Sequence, residues 1–438
     1  MNSGERRTPV SQSDAGAACP GLDATRVCDE PPCLRGEILS AERLVEHAVD
    51  IARAQGEPTR RGSPRLLWQR YVSARTGLRE AYEILKRDYQ NQREPSPAEE
   101  WLLDNSHVVE EQFREIEEDL PRGYLKELPR TAGGAMRGCP AVYGLCLDYL
   151  RHTDARIDLG TLSRYVLAYQ SVRVLTIGEL WAVPIMLRLG LLLGVSAIAA
   201  AETSSRERAR GEEWAQKLLS QARRPETLGL SLLEIERGPE ITAAFLVQLI
   251  RRLREHDEAA LNPAFDWIAH QSAKLGAPPE DLVRRQLLRQ AADQVSVGNA
   301  VTSMRAIAAF DWHEFFERTS AVEGLLRKDP SSDYAATDPK SRDRYRHTVE
   351  GLARRSKSNE QGVAQAALEL AQQHASEHSE SDVEAHVGYY LLDEGRRELE
   401  RRIAYRPRLG ERLRRAVTGH PSAFYFGALC LCFAAVWG

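Results

Sequence analysis

Four small groups of residues have the types and spacing that chemistry requires. Asp104 and His107, with Trp101 and Asn105 beside them, read as one helical segment. An acid and an imidazole one turn apart share a face, where they could form an acid–base pair or two metal ligands. His152, Asp154 and Asp158 cluster at a predicted helix end and the loop after it. Asp311, Trp312, His313 and Glu314 open another helix, and Arg342, Asp343, Arg344, Tyr345, Arg346 and His347 form a dense charged turn. Each group also has a plainer role. A polar helix face packing on a neighbour accounts for the first, and capping in a solvated turn for the second. A helix N-terminus explains Asp311 and Glu314, while Trp312 and Phe315 suit a core. Alternating charge over 342–347 fits a solvated or interface helix. The chain has no glycine-rich phosphate loop, no H-E-x-x-H, no G-x-S-x-G and no Asp-x-Asp pair. The expectation is that it contributes no catalytic, cofactor-binding or metal-binding residue.

The elements that must position these residues are helices. Leu39, Leu44, Val45, Ala48 and Ile51 recur at helical spacing, and Leu66–Tyr89 continues the pattern after Pro64. Ser96-Pro97-Ala98-Glu99 combines an N-cap serine, a proline in the first turn and a glutamate placed to return a bond. Thr176 with Glu179 repeats that form, and Asp311, Asp338 and Ser381-Asp382-Val383-Glu384 mark further starts. No stretch pairs period-two alternation with hairpin chemistry. The fold class is all-α, a multi-helical region of a dozen or more helices. Its expected parts are a disordered leader over 1–34, helical units over 35–201 and 206–373, a basic juxtamembrane helix over 381–415, and the start of a transmembrane helix over 416–438.

The last two parts rest on charge. Nine arginines fall between Arg396 and Arg415 against Glu398, Glu400 and Glu411, and then Asp, Glu, Lys and Arg cease to the end. About 20 apolar residues cross a bilayer, and basic residues before a span hold that side in the cytoplasm. Arg406, Arg408, Arg412, Arg414 and Arg415 are therefore assigned to orient the segment, with membrane lipid as a partner. Ile177–Ala201 is apolar too, but it carries Glu179, Arg188 and Pro184. A charge at mid-bilayer costs about 2.5–3.5 kcal/mol, so this segment reads as a core helix.

Among 438 residues, 59 basic side chains face 63 acidic ones, for a net charge of −4. That balance gives no reason to expect nucleic acid. Cys19, Cys28, Cys33, Cys139, Cys146, Cys430 and Cys432 match no zinc spacing and read as free thiols of a reducing compartment. The polar start has no secretory signal pattern.

Four blocks, in order, carry a resemblance. They are SPAEEWLLDNSHVVEEQFREIEEDLPRGYLKELP (Ser96–Pro129), LSRYVLAYQSVRVLTIGELWAVPIMLRLGLL (Leu162–Leu192), DPKSRDRYRHTVEGLAR (Asp338–Arg354) and EAHVGYYLLDEGRRELE (Glu384–Glu400). Together they resemble the N-terminal region of bacterial cyclic β-1,2-glucan synthases, while Gly194–Ala201 is more apolar than that family's pattern. The resemblance implies a helical cytoplasmic region ahead of inner-membrane helices. It also implies a parent enzyme that uses UDP-glucose and a divalent metal to build and cyclise a β-1,2-glucan. The transferase portion of such an enzyme, and the glucan itself, are the implied partners. The catalytic modules of the family have no counterpart here, so none of its functional residues can be assigned to a position. The expected role is a non-catalytic, truncated N-terminal portion, inactive alone. Two other readings stay open: a tail-anchored helical scaffold whose arginines grip anionic lipid, and a soluble helical carbohydrate-active enzyme in which Asp104, Glu110, Asp154 or Glu179 converge.

Overall fold

The computed structural model describes residues 34–59, 65–90, 95–120, 123–133, 136–203, 205–256, 259–379, 382–407, 410–411, 426 and 432–433. Among these residues are twenty α-helices and two short 3-10 turns, with strand-like pairing confined to isolated bridges at Thr59–Arg130 and Arg130–Pro140. The fold is all-α. The chain forms two compact units. One holds the described residues up to Arg173 together with Ala182–Trp312, and the other holds Val174–Trp181 with the described residues from His313 onward. The boundary expected near 201–206 lies inside the first unit. The reason is long-range packing: the Pro97–Asp104 helix lies on the Pro279–Ala309 helix, which draws the later segment back onto the earlier one.

Local signals explain the helix starts of the first unit. Ser40 caps Ala41–Gln55 by accepting from the Arg43 N–H. Ser96 and Glu99 exchange both bonds of a capping box, at 3.3 and 2.7 Å, satisfying amides that lack an intrahelical partner. The apolar stripe Leu44, Ala48 and Ala52 is buried, and its helix packs on Leu159–Gln170, which buries Leu162, Val166 and Tyr169. A second core in this unit gathers Leu218, Leu228, Phe245, Leu249, Leu253 and Ile268.

The Ile177–Thr203 helix is apolar on every side. Among the described residues it alone is long and apolar enough to cross a membrane, and 83% of its most apolar window is buried by protein. That burial agrees with the core-helix reading. Its two charges are answered locally. Arg188 pairs with Glu115 at 2.7 Å and donates to Gln112 at 3.1 Å. Glu179 returns the bond of Thr176 at the helix start, with contacts of 3.0 and 3.1 Å. Gly194 forms a notch that seats Leu34, whose side chain a Cβ at 194 would overlap. Leu34 is thus core, at 3% exposure, and does not belong with the expected leader. The rest of that leader, 1–33, lies outside the described residues.

The second unit is built around Glu360–Glu377, which buries Val363, Ala364, Ala367, Leu368 and Ala371. Ala321–Leu326, Pro339–Ala353 and Val387–Leu392 pack on it. Asp338 caps Pro339–Ala353 as expected, accepting from the Ser341 N–H at 3.0 Å. The start expected at 381–384 differs. Asp382 makes no side-chain capping bond and precedes only the three-residue turn Val383–Ala385, and the next helix is capped by His386 instead. Ser381 lies outside the described residues. So does the expected membrane helix over 416–438, apart from residues 426, 432 and 433.

Candidate functional site

The most chemically organised group in the first unit is His47, Asp148 and His152. Asp148 and His152 stand one turn apart on the Ala141–His152 helix, so both side chains leave the same face. The Ala41–Gln55 helix brings His47 to them because its own apolar stripe is buried beside that face. His47 Nε2 lies 3.1–3.2 Å from the Asp148 carboxylate oxygens. His152 Nε2 lies 3.7 Å from Asp148 Oδ1. The imidazoles meet edge to face with centroids 4.5 Å apart. One donor atom from each of the three residues falls within a 4.8 Å span.

Surrounding groups fix the orientation. His152 Nδ1 is 2.7 Å from the Glu37 carbonyl oxygen, which can only accept, so Nδ1 carries the proton. The Tyr165 hydroxyl donates to Asp148 Oδ2 at 2.7 Å. Burial, and then the Asp148 charge, raise that phenol well above its ordinary value. The Asp148 hydrogen bond raises His47 above the usual imidazole value, against the opposing effect of burial.

Sequence reasoning found His152 but grouped it with Asp154 and Asp158, which serve other ends. Asp158 caps Leu159–Gln170, accepting from the Thr161 N–H at 2.7 Å, and the Thr161 hydrogen bonds lower its carboxyl. Asp154 and Ala155 sit in the left-handed region at φ 50° and 60°, uncommon for residues other than glycine. Asp154 Oδ1 accepts from Ser296 and Oδ2 from Asn299, and Ser303 donates to the Ala155 carbonyl. The Pro279–Ala309 helix thus holds the turn. The spacing of Asp148 and His152 was a usable local signal. His47, 101 positions from Asp148, gave none.

The other candidates separate. Asp104 ends one helix and His107 belongs to the next, with Asn105 between them, so the single face expected does not form. Both are exposed. Glu110 pairs with Arg79 at 3.1 Å. His313 lies edge to face on Trp181, which stacks on Phe316 at 4.8 Å. The charged segment 342–347 lies on the Pro339–Ala353 helix, and its inner face takes the interface side of the reading above. Arg342 and Arg346 point inward, to Glu317 and Glu323. Glu323 is fully buried. It receives Arg327 at 2.9 Å, the Tyr334 hydroxyl at 2.7 Å, and Arg346 through two nitrogens at 2.9 and 3.1 Å. Burial pushes its carboxyl up, but the bonds from Arg327 and Tyr334 and the Arg346 charge outweigh burial and leave it below its ordinary value. Arg346 also lies over the Phe316 ring at 4.7 Å.

Of the arginines assigned to orient a membrane segment, Arg406 is described and exposed, whereas Arg408, Arg412, Arg414 and Arg415 lie outside the described residues. The Arg406 N–H donates to the Arg355 carbonyl at 2.9 Å. Arg354, Arg355, Lys357 and Arg406 thereby line one shallow, open depression of about 480 Å³. Nearby in sequence, Glu360 accepts from the Ile177 N–H at 2.6 Å. Burial raises its carboxyl to about 7.

No protein-family model matches the chain. Its sequence is 34% identical over 325 residues to the cyclic beta-(1,2)-glucan synthase NdvB of Rhizobium meliloti (strain 1021). The match covers 74% of this chain and 11% of that protein, so the chain spans about a tenth of its relative's length.

Proposed function

The chain is a relative of a cyclic beta-(1,2)-glucan synthase, and from that premise we propose that it supplies a non-catalytic helical part of a synthase-like membrane glycosyltransferase. The observation that carries this reading is the 34% identity extending over three quarters of the chain. The proposed work is mechanical: the helical units brace a transferase portion from the cytoplasmic side of a bacterial inner membrane. UDP-glucose, a divalent metal at the transfer site and the β-1,2-glucan belong, on this reading, to the transferase. The separate fates of Asp104, Glu110 and Asp154 favour it over a soluble carbohydrate-active enzyme, whose paired carboxylates must face each other across a sugar.

The experiment is to supply the purified chain with UDP-glucose and Mg²⁺ or Mn²⁺ and to measure UDP release and glucose transfer. Neither should exceed a buffer blank, and turnover by the chain alone would sink the reading. Co-expression with a synthase deleted for the aligned region should restore glucan output. A second reading, attachment to anionic lipid, is favoured by the four cationic side chains around the 480 Å³ depression. Charge of this kind contributes about 1 kcal/mol per basic residue near an anionic surface. Flotation with phosphatidylserine vesicles should fall when Arg354, Arg355, Lys357 and Arg406 are replaced by alanine.

A further inference from the structure

We propose that His47, Asp148 and His152 bind a divalent transition metal of the zinc class, and that the ion pins the Ala41–Gln55 helix to the Ala141–His152 helix. Three independent features support the assignment. The first is separation. Ligands about 2.0–2.1 Å from a tetrahedral zinc lie roughly 3.3 Å from one another. The separations from Asp148 to His47 and His152, 3.1–3.2 and 3.7 Å, are close to those edges. A small adjustment of the imidazoles admits the ion.

The second is the tautomer. The Glu37 carbonyl takes the proton of His152 Nδ1, which turns Nε2, the ring's other nitrogen, toward the Asp148 carboxylate. At 3.7 Å these two atoms leave room for a cation that both can bind. A proton can serve, but a metal ion satisfies His47, His152 and Asp148 together. The third is the outer support. Metal-ligating histidines usually donate their other N–H to a carbonyl or carboxylate, and ligating carboxylates are themselves hydrogen-bonded. The Glu37 carbonyl and the Tyr165 hydroxyl fill those two places.

The donor set selects the metal. Two imidazoles and one carboxylate suit zinc, cobalt, nickel or copper, whereas magnesium and calcium prefer shells of oxygen. The three side chains are 30%, 13% and 16% exposed, which leaves one side of the group open to a water as fourth ligand. The ion would join segments 101 positions apart in sequence, so its binding stabilises the fold by mass action.

The test uses the untagged full chain, stripped with chelator, and Co²⁺ as the spectroscopic probe. The expected result is a saturable visible absorbance of the tetrahedral type at one ion per chain, displaced by Zn²⁺, with a rise in Tm on adding Zn²⁺. His152→Gln and Asp148→Asn should each abolish the absorbance and the Tm rise while circular dichroism shows the helices retained. Tyr165→Phe, which removes only outer support, should weaken binding about 10–100-fold. Absence of a saturable Co²⁺ spectrum in the unaltered chain would overturn the proposal, as would unchanged binding in the folded His152→Gln protein. The spectrum of the unaltered chain decides the matter even if a variant fails to fold.

Discussion

Glu323 and Asp148 are both carboxylates set among cationic or potentially cationic side chains, yet the two regions treat them differently. Around Glu323 the set of partners is closed. The carboxylate is fully buried and takes bonds from Arg327, Tyr334 and Arg346. Around Asp148 the set is open. One oxygen is fixed by Tyr165, and two partly buried imidazoles approach the carboxylate. A closed network of fixed charges makes structure, because removing a member leaves a buried charge less well paired in low dielectric. An open group of titratable donors keeps capacity for a further cation. Charge density alone does not distinguish them; the number of unanswered lone pairs does.

The sharpest way to break this comparison is Arg346→Met. It takes two charge-assisted bonds from a fully buried carboxylate, which keeps Arg327 and Tyr334, and should cost about 1.5–3 kcal/mol in urea unfolding. A loss below about 1 kcal/mol would show that the network is not closed. The triple substitution Glu323→Leu, Arg346→Met and Tyr334→Phe, which also removes the hydroxyl that Glu323 accepts from, should recover most of that loss, since apolar replacement of a buried polar group with its buried hydrogen-bond partners is often close to neutral. Next in size, Asp148→Asn in metal-free protein should cost about 1–2 kcal/mol through its weakened bonds to His47 and Tyr165. Tyr165→Phe should cost about 1 kcal/mol by the same measurement.

The last comparison is read against pH, and the two carboxylates of the second unit have opposite signs. Glu323 is held below its ordinary value, so its contribution is present above the usual carboxylate range and disappears as pH falls through its depressed value. Glu360 is raised from 4.5 to about 7, so its contribution is present below 4.5 and disappears as pH rises through about 7. Glu360→Gln should flatten the Tm profile between about pH 4.5 and 7. An unchanged slope over that interval would remove Glu360 from the comparison.

Much of the helical framework was legible in the sequence because capping is local. Ser96 with Glu99, Thr176 with Glu179, and Asp338 each act within three residues of themselves. The core placement of Ile177–Ala201 was legible from Glu179 and Arg188, whose charges need protein partners. What was not legible depends on distant packing. Nothing near Arg342 or Arg346 indicates that Glu317 and Glu323 wait for them, so alternating charge left a solvated and an interface helix equally open. The break at Asn105, which separates Asp104 from His107, was hidden because both flanks have helical composition. The His47 contribution to the candidate site is invisible to spacing because an interhelical contact creates it.

The notch at Gly194 has a consequence for how this sequence can drift. Leu34 occupies the space that any side chain at 194 would need, although 160 positions separate the two in the chain. A lone change of Gly194 to valine or leucine meets an occupied site, whereas the same change accompanied by Leu34→Ala or Leu34→Gly does not. Relatives should therefore exchange bulk between these positions as a pair, a large residue at one accompanying a small one at the other.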